Sequence, residues 1–391
     1  MTHYMKALRS FSVAYSGVLS MLVVCTSEHH AISQVQEIPV LPGIKAQRIT
    51  THRIGTRVLL SGEEQGIPVV FLHGNLSSAT WWEETMLALP KGFRGIAPDL
   101  RGFGGADTSK YVDARRGAGD WADDVIALLD HLNIPKAHIV GHSLGGYVVW
   151  RVMADYPERL LSVTLVAPGS PFGFGGTKDT NGTPCYSDFA GTGSGLANAL
   201  LIDAIRRHDR SLHSPFTPRA ALRNVIVKPP YIPVREEEFL SSMMSVHLGE
   251  KALPGDAVPS KNWTGFAPGV WGAVNALSPK YAGDMAERLV RAVPKVPVLW
   301  IRGADDIAVS NNAASDIGTL GARGIIPNYP GSDVFPPQPM IDQTRTVLER
   351  YKRAGGSYIE VVLKNCGHTP YLEQPKEFNS IFHMHIRSAT K

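Results

Sequence analysis

Apolar runs typical of strands alternate with helix-like segments along most of this chain, and this alternation constrains the fold more than any other feature. An opening hairpin is predicted within residues 46–64. IPVVFLHG and FRGIAPDLRG have the continuous apolar character of strands buried on both faces, KAHIVGHS is the next predicted strand, and LSVTLVAP, VPVLWIRG and SYIEVVLKN are three more β-rich runs. Helical spacing is found in DWADDVIALLDHLNI, with Asp120 as the predicted N-cap, and in GGYVVWRVMADYPERL. Strands that alternate with helices need crossover connections. We therefore predict an α/β fold in which a mostly parallel sheet is flanked by helices.

Two regions interrupt the alternation and divide the chain. Residues 169–292 begin with a Gly- and Pro-rich stretch that is unsuited to regular structure, and they continue with helix-like segments. We interpret them as a largely helical and loop-rich lid, inserted into a core made of residues 46–168 and 293–388. Residues 311–356, which include a Pro-rich stretch, are interpreted as a second, smaller insertion within that core.

The N-terminal segment differs from the rest of the chain. Lys6 and Arg9 precede a run without charged residues that lasts until Glu28, a pattern typical of a secretory signal peptide. We interpret residues 1–30 as a signal peptide or N-terminal extension and predict export, secreted or periplasmic, with a cytoplasmic location as the alternative. The run is short and Ser-rich for a membrane span, so no stable span is predicted.

Charge and cysteine content limit the classes of partner and site. The formal net charge is +4 over 391 residues without a long Lys/Arg run, which argues against nucleic acid as a partner. The three cysteines, Cys25, Cys185 and Cys366, lack metal-binding spacing, so no metal site is predicted. Free thiols at Cys185 and Cys366 are favoured, and a disulfide between them is the alternative. The sequence leaves the oligomeric state open.

The stretch VGHSLGGYVVW places Ser143 between glycines, after a predicted strand and before a predicted helix. It matches the pattern G-x-S-x-G, in which small residues allow a strand to turn abruptly into a helix and present the serine hydroxyl to an open site. The alternative is an ordinary serine at a helix N-cap. The surrounding strand and helix favour a nucleophile.

A serine hydroxyl needs a base, and the base in turn needs an orienting acid. His368 is the predicted base, because it lies in a Gly-containing loop at the end of the last predicted strand. His142 is not favoured, because adjacent residues on a tight turn point in different directions. Asp305 and Asp306 both follow the strand VPVLWIRG, and the residues alone leave the choice between them open.

The oxyanion hole needs two backbone N–H groups directed at the developing negative charge. Leu144, directly after the nucleophile at the helix N-terminus, is predicted to supply one of them, and Asn75, after the strand VVFLHGN, the other. Four neighbouring residues are predicted pocket residues: His73, Gly74, Trp81 and His142.

The motifs VVFLHGN, DLRGFG, GHSLGG, VPVLWIRGADD and GHTPYLEQP, in this order, resemble the α/β-hydrolase superfamily in its serine-nucleophile, esterase- or lactonase-like branch. The resemblance spans about residues 47–382 without the two insertions, and implies the α/β-hydrolase fold with a lid. It also implies Asp306 as the acid, third after Gly303, with Asp305 as second choice. The loop HGNLSSATWW is similar to that of haloalkane dehalogenases and epoxide hydrolases, but those enzymes use an aspartate nucleophile, and this chain has Ser143.

These observations predict a serine hydrolase that cleaves a hydrophobic small-molecule ester or lactone through an acyl-enzyme intermediate. This chemistry requires no cofactor and no metal. Carbon–carbon bond or amide hydrolysis by the same triad is an alternative within the enzyme class. A non-catalytic, hydrolase-like binding protein is an alternative outside it, less favoured because binding alone needs neither His368 nor Asp306.

Overall fold

A computed structural model describes residues 38–390; the predicted signal peptide and Cys25 lie outside this range. The described chain contains twelve strands. They are β1 (Lys45–Thr50), β2 (Gly55–Gly62), β3 (Ile67–Leu72), β4 (Phe93–Pro98), β5 (Ala137–His142), β6 (Leu160–Val166), β7 (Leu248–Gly249), β8 (Leu253–Pro254), β9 (Ala257–Pro259), β10 (Phe266–Pro268), β11 (Pro297–Gly303) and β12 (Ser357–Leu363).

Eight of these strands form one sheet in the order β1-β2-β4-β3-β5-β6-β11-β12. The first two strands form the predicted antiparallel hairpin, and β2 is also antiparallel to β4. All other neighbours in this sheet are parallel, as the alternating pattern predicts. The carboxyl ends of β3, β5, β11 and β12 lie at the same edge, which brings together the loops that carry the predicted site residues.

Thirteen α-helical segments accompany the strands of the described chain. They are α1 (Glu83–Leu87), α2 (Gly119–His131), α3 (Leu144–Asp155), α4 (Ala199–Arg206), α5 (Pro218–Ala221), α6 (Glu236–Met244), α7 (Ala273–Ala276), α8 (Pro279–Ala282), α9 (Met285–Arg291), α10 (Ile317–Ala322), α11 (Met340–Arg353), α12 (Pro370–Glu373) and α13 (Pro375–Ser388). Single turns of 3₁₀ helix span Ala79–Trp82, Ala114–Arg116, Pro157–Arg159 and Ser194–Leu196, and a π-helical turn spans Leu222–Ile226.

The sheet is covered on both faces, which explains the continuous apolar runs. In β3, Val70 and Leu72 pack into one buried layer together with residues of α2, α3, α9 and α11. Val69 and Phe71 of the same strand pack into the opposite layer, which contains Phe382 of α13. Because successive side chains of a strand point to opposite faces, both sets of positions must be apolar here.

The start of α2 differs from the prediction. The helix begins at Gly119, the residue before it provides no side-chain cap, and Asp120 lies inside the first turn. The Asp120 carboxylate accepts a hydrogen bond from the Asp113 N–H at 3.0 Å and pairs with Arg53 at 3.3 Å and Arg116 at 2.5 Å. The N-cap prediction was wrong: the carboxylate does not cap the helix but pairs with Arg53, which is distant in sequence, and with Arg116, four residues before it.

The two regions that interrupt the alternation pack against each other. Ile317, Leu320 and Phe335 from the second region form a small apolar cluster with Tyr186 and Trp263 from the first. The ends of both regions also contribute to the core, through α9 and α11. In the structure, α11 therefore serves as the crossover helix between β11 and β12, and it packs on the sheet.

Two further sequence predictions concern single features. Cys185 and Cys366 are both free thiols, as favoured by the sequence. Across residues 38–390, none of the helices combines the length and the apolar character needed to cross a bilayer.

Candidate active site

Ser143 lies on the sharp turn between β5 and α3. Its backbone has φ 54° and ψ −113°, a strained conformation for a residue with a side chain, and its N–H donates to the Val166 carbonyl at 3.0 Å. A Cβ on Gly145 would lie 2.2 Å from the Leu72 carbonyl oxygen, and one on Gly141 would lie 2.4 Å from the Gly145 carbonyl oxygen. Both flanking positions therefore require glycine, because any side chain there would collide with backbone.

His368 and Asp306 form a direct pair at the ends of β12 and β11. The Nδ1 atom of His368 lies 2.8 Å from Oδ2 of Asp306, and both side chains are buried. The second carboxylate oxygen of Asp306 accepts hydrogen bonds from the N–H groups of Ala308 at 2.8 Å and Val309 at 3.0 Å. Since a carboxylate accepts hydrogen bonds, Nδ1 carries a proton, and in the neutral imidazole Nε2 is the nitrogen with the lone pair.

Asp305 points away from this pair. Its carboxylate is 45% exposed and forms an ion pair with Lys228 Nζ at 2.8 Å. Of the two aspartates that the sequence left open, the structure places only Asp306 against the imidazole of His368.

His142 lies beside the elbow and contacts the His368 loop rather than acting as a base in this arrangement. Its Nε2 is 2.9 Å from the His368 carbonyl oxygen, so Nε2 carries a proton, while Nδ1 faces the Tyr371 hydroxyl at 3.4 Å. Burial, followed by the proximity of His368, lowers the pKa of His142 well below its usual value. A neutral imidazole whose only protonated nitrogen donates to a backbone carbonyl serves as a support for the loop.

The two predicted oxyanion-hole residues border the same space as Ser143. Leu144 is the first residue of α3, so its N–H has no acceptor within the helix, and the helix dipole favours negative charge at this position. Asn75 follows β3 on the facing loop, and both residues line the cavity described below. A Cβ on Gly74 would lie 3.2 Å from Ser143 Cβ, which shows how closely this loop approaches the serine.

Two of the predicted pocket residues, His73 and Gly74, do not line the cavity. His73 is fully buried: its Nε2 accepts from the Leu100 N–H at 2.9 Å, and its Nδ1 lies 2.8 Å from the Gly74 carbonyl. Burial lowers the pKa of His73. The imidazole thus connects two loops beneath the site, whereas Trp81 and His142, the other two predicted pocket residues, do line the cavity.

Ser143 and His368 open into one cavity of about 1030 Å³ between the sheet edge and the two interrupting regions. Its walls are largely apolar, and they include Leu76, Phe174, Leu201, Ile202, Leu277 and Val309. Within residues 38–390, no hydrogen bond joins the Ser143 hydroxyl to the His368 ring. Such bonds are often long in unliganded enzymes and shorten when substrate binds.

Two residues at this site were not identified from the sequence. Lys228, from the Pro-rich part of the first region, lines the cavity beside Asp305, and no sequence pattern indicates its position. Glu373 lies behind the His368 loop and bonds its backbone. Its place in the motif GHTPYLEQP was the available signal, since a carboxylate so close to a loop histidine has backbone N–H groups within reach.

Comparisons with known proteins agree with the architecture. A family model described as the alpha/beta hydrolase fold matches residues 67–192. An uncharacterized carboxylesterase of Bacillus subtilis (strain 168) is 32% identical over 128 residues, which cover 33% of this chain and 42% of the relative. A 2-hydroxymuconate semialdehyde hydrolase of Pseudomonas sp. (strain CF600) is 33% identical over 115 residues, 29% of this chain and 40% of the relative. The chain thus spans less than half the length of these curated relatives.

A solved structure with a similar fold is that of a putative aryl esterase from Burkholderia cenocepacia. It aligns with a TM-score of 0.54 and 20% identity, covering 88% of this chain and 99% of that one. The sheet order, the strained turn at Ser143 and these similarities agree on the α/β-hydrolase fold for this chain.

Proposed function

We propose that this protein is a serine hydrolase that cleaves a carboxylic ester or lactone through an acyl-enzyme intermediate. The observation that carries the proposal is the arrangement of Ser143 and His368 in one cavity, with His368 hydrogen-bonded at 2.8 Å to the buried Asp306. A chain that only bound ligands would need neither a strained serine nor an oriented imidazole.

In the first half of the reaction, Ser143 Oγ attacks the carbonyl carbon of the substrate, while His368 Nε2 accepts the hydroxyl proton. The carbonyl π electrons move onto oxygen, and the resulting oxyanion accepts hydrogen bonds from the N–H groups of Leu144 and Asn75. When the tetrahedral intermediate collapses, the bond to the alcohol oxygen breaks and His368 returns its proton to the leaving alkoxide. Asp306 stabilises the imidazolium that exists between these steps.

In the second half, water replaces the alcohol. His368 Nε2 accepts a proton from the water as its oxygen attacks the acyl carbon, and a second oxyanion forms in the same hole. Collapse then breaks the bond to Ser143 Oγ, which regains a proton from His368, and the carboxylic acid leaves. For a lactone, the alcohol and the acid are two ends of one product.

The cavity supports a hydrophobic substrate. A largely apolar space of about 1030 Å³ favours a hydrophobic acyl or alcohol group over a small polar one. Residues 169–292 supply part of the wall, and we propose that they act as the lid predicted from the sequence. The carboxylesterase relative supports an ester substrate.

The proposal is tested with p-nitrophenyl esters from acetyl to dodecanoyl and with a fluorophosphonate probe. We expect turnover of at least some esters and labelling of the peptide that contains Ser143. Ser143→Ala is expected to abolish labelling and to lower turnover about 10⁴-fold or more, as for triad deletions in subtilisin. Ser388→Ala, at the end of α13, is the matched control and should behave like the unmodified protein. Full turnover by Ser143→Ala would exclude the proposal.

A carbon–carbon bond hydrolase is the second candidate, because one relative is a 2-hydroxymuconate semialdehyde hydrolase. The same serine and histidine would serve: the carbon–carbon bond would break in place of the carbon–oxygen bond, and a stabilised carbanion would leave and take the proton from His368. Labelling of Ser143 without turnover of any ester in the panel would favour this candidate.

A further inference from the structure

The carboxylate of Glu373, at the end of α12, accepts four hydrogen bonds from the residues around it. Oε2 accepts from the Gly367 N–H at 2.8 Å and from the Lys228 N–H at 3.1 Å. Oε1 accepts from the Thr369 N–H at 3.0 Å and from the Thr369 hydroxyl at 3.0 Å. Two of these donors are the backbone N–H groups directly before and directly after His368.

The backbone of His368 is therefore held from two sides. Glu373 binds the N–H groups of its neighbours Gly367 and Thr369, and His142 Nε2 donates to the carbonyl of His368 itself at 2.9 Å. Asp306 holds only the imidazole ring. The position of the His368 ring in the cavity that it shares with Ser143 thus depends on the loop backbone as well as on Asp306.

Glu373 also connects the His368 loop to the first interrupting region through Lys228. The contact is close: a Cβ on Gly367 would lie 2.8 Å from the Lys228 nitrogen and 3.1 Å from Glu373 Oε1. Lys228 also contacts the loop that follows β11, because its Nζ lies 2.8 Å from Oδ2 of Asp305. This single residue of the cavity wall contacts the loops of both the proposed base and the proposed acid.

We propose that Glu373 is a positioning residue for His368, and that it couples the His368 loop to the cavity wall through the Lys228 N–H. The inference rests on the proposed function, since it assigns a role to His368 as the base. Glu373 does not line the cavity, so it acts on a substrate bound there only through the backbone around His368.

The substitution Glu373→Gln distinguishes this hydrogen-bonding role from a role that depends only on the size of the side chain. Glutamine has the same shape, but only one of its two terminal atoms accepts hydrogen bonds, and the other is an NH₂ donor. In either orientation of the amide, its NH₂ group faces the hydrogen-bond donors on one side, either the N–H groups of Gly367 and Lys228 or the donors of Thr369. The loop must shift to relieve this contact, and a displacement of about 1 Å at a catalytic group can cost up to about 10²-fold in rate.

We expect Glu373→Gln to lower kcat about 10- to 100-fold on the best p-nitrophenyl ester, with KM changed by less than about threefold. Labelling of Ser143 by the fluorophosphonate should slow in parallel. Hydrogen exchange should accelerate at the amides of Gly367, Thr369 and Lys228. Glu377→Gln, exposed on the next helix, is the matched control and should leave all three measurements unchanged.

A Glu373→Gln protein with the unmodified kcat, even if it melts earlier, would overturn the positioning role. Unchanged exchange at Lys228 would overturn the coupling to the wall. If Glu373→Gln does not fold, Thr369→Val tests the positioning role instead, because it removes only the hydroxyl that donates to Glu373. We expect a two- to fivefold lower kcat for Thr369→Val. An unchanged kcat would refute the positioning role of Glu373. Failure of the proposed function would be visible in proteins in which Glu373 is unmodified. It would appear as no fluorophosphonate labelling of Ser143, or as turnover retained by Ser143→Ala.

Discussion

Replacement of Asp306 by asparagine is the sharpest test of the acid, because the structure dictates how the new amide must sit. One oxygen of Asp306 accepts from two backbone N–H groups, those of Ala308 and Val309, and the other accepts from His368 Nδ1. An asparagine must place its only oxygen against the two N–H groups, since the opposite orientation would set its NH₂ against both. The NH₂ then faces His368 Nδ1.

An NH₂ at this position requires Nδ1 to accept, which moves the imidazole proton to Nε2. In that tautomer Nε2 cannot take the proton of Ser143, and the general-base contribution is lost. The corresponding substitution in serine proteases with a Ser-His-Asp triad lowers kcat by about 10⁴, or about 5 kcal/mol in activation free energy. We expect a loss of this size for Asp306→Asn, with a folded protein and nearly unchanged KM.

The assay is ester turnover together with circular dichroism, and Asp305→Asn is the matched control. Asp305 loses only a partly exposed ion pair with Lys228, which contributes about 0–1 kcal/mol of stability. Its kcat should stay within about threefold of the unmodified value. The tautomer argument fails if Asp306→Asn keeps more than a tenth of the unmodified activity. It also fails if Asp305→Asn loses more activity than Asp306→Asn.

Two further predictions concern buried histidines. His142→Ala should retain measurable turnover, reduced no more than about 100-fold, because the loop loses one hydrogen bond while the His368–Asp306 pair stays intact; complete inactivity would instead make His142 essential. Burial lowers the pKa values of His138 and His385 to about 4. The unfolded chain therefore binds protons first as the pH falls, and the free energy of unfolding should drop by up to about 3 kcal/mol per histidine between pH 6.5 and about 4. Urea unfolding across this range should show a shallower decline for His138→Gln, and parallel curves for both proteins would contradict the argument.

The strands could be predicted well because burial on both faces leaves a direct record in the residues. Val69 to Leu72 must all be apolar in a sheet that is covered on each side, so β3 can be predicted from the sequence alone. Asp120 could not be placed, because one of its partners, Arg53, is 67 positions away in the sequence and meets it only through tertiary contacts.

The candidate site was predictable where a backbone constraint demanded particular residues. Gly141 and Gly145 are needed because the backbone passes within van der Waals contact at the turn, and this need shows in the sequence around Ser143. Asp305 and Asp306 were indistinguishable from the residues alone, because either can follow the strand. Only their surroundings in three dimensions separate them.

The sequence by itself determined the alternation that builds the sheet, the elbow around Ser143 and the loops that carry His368 and the aspartates, because each depends on short-range patterns. The tertiary structure alone decided which aspartate faces His368 and which residues hold its backbone. The contact between Glu373 and Lys228 has no local signature, since the two residues are 145 positions apart and meet only when the first region folds onto the end of the sheet. Contacts of this kind depend on packing across the whole chain, and short-range patterns carry no record of them.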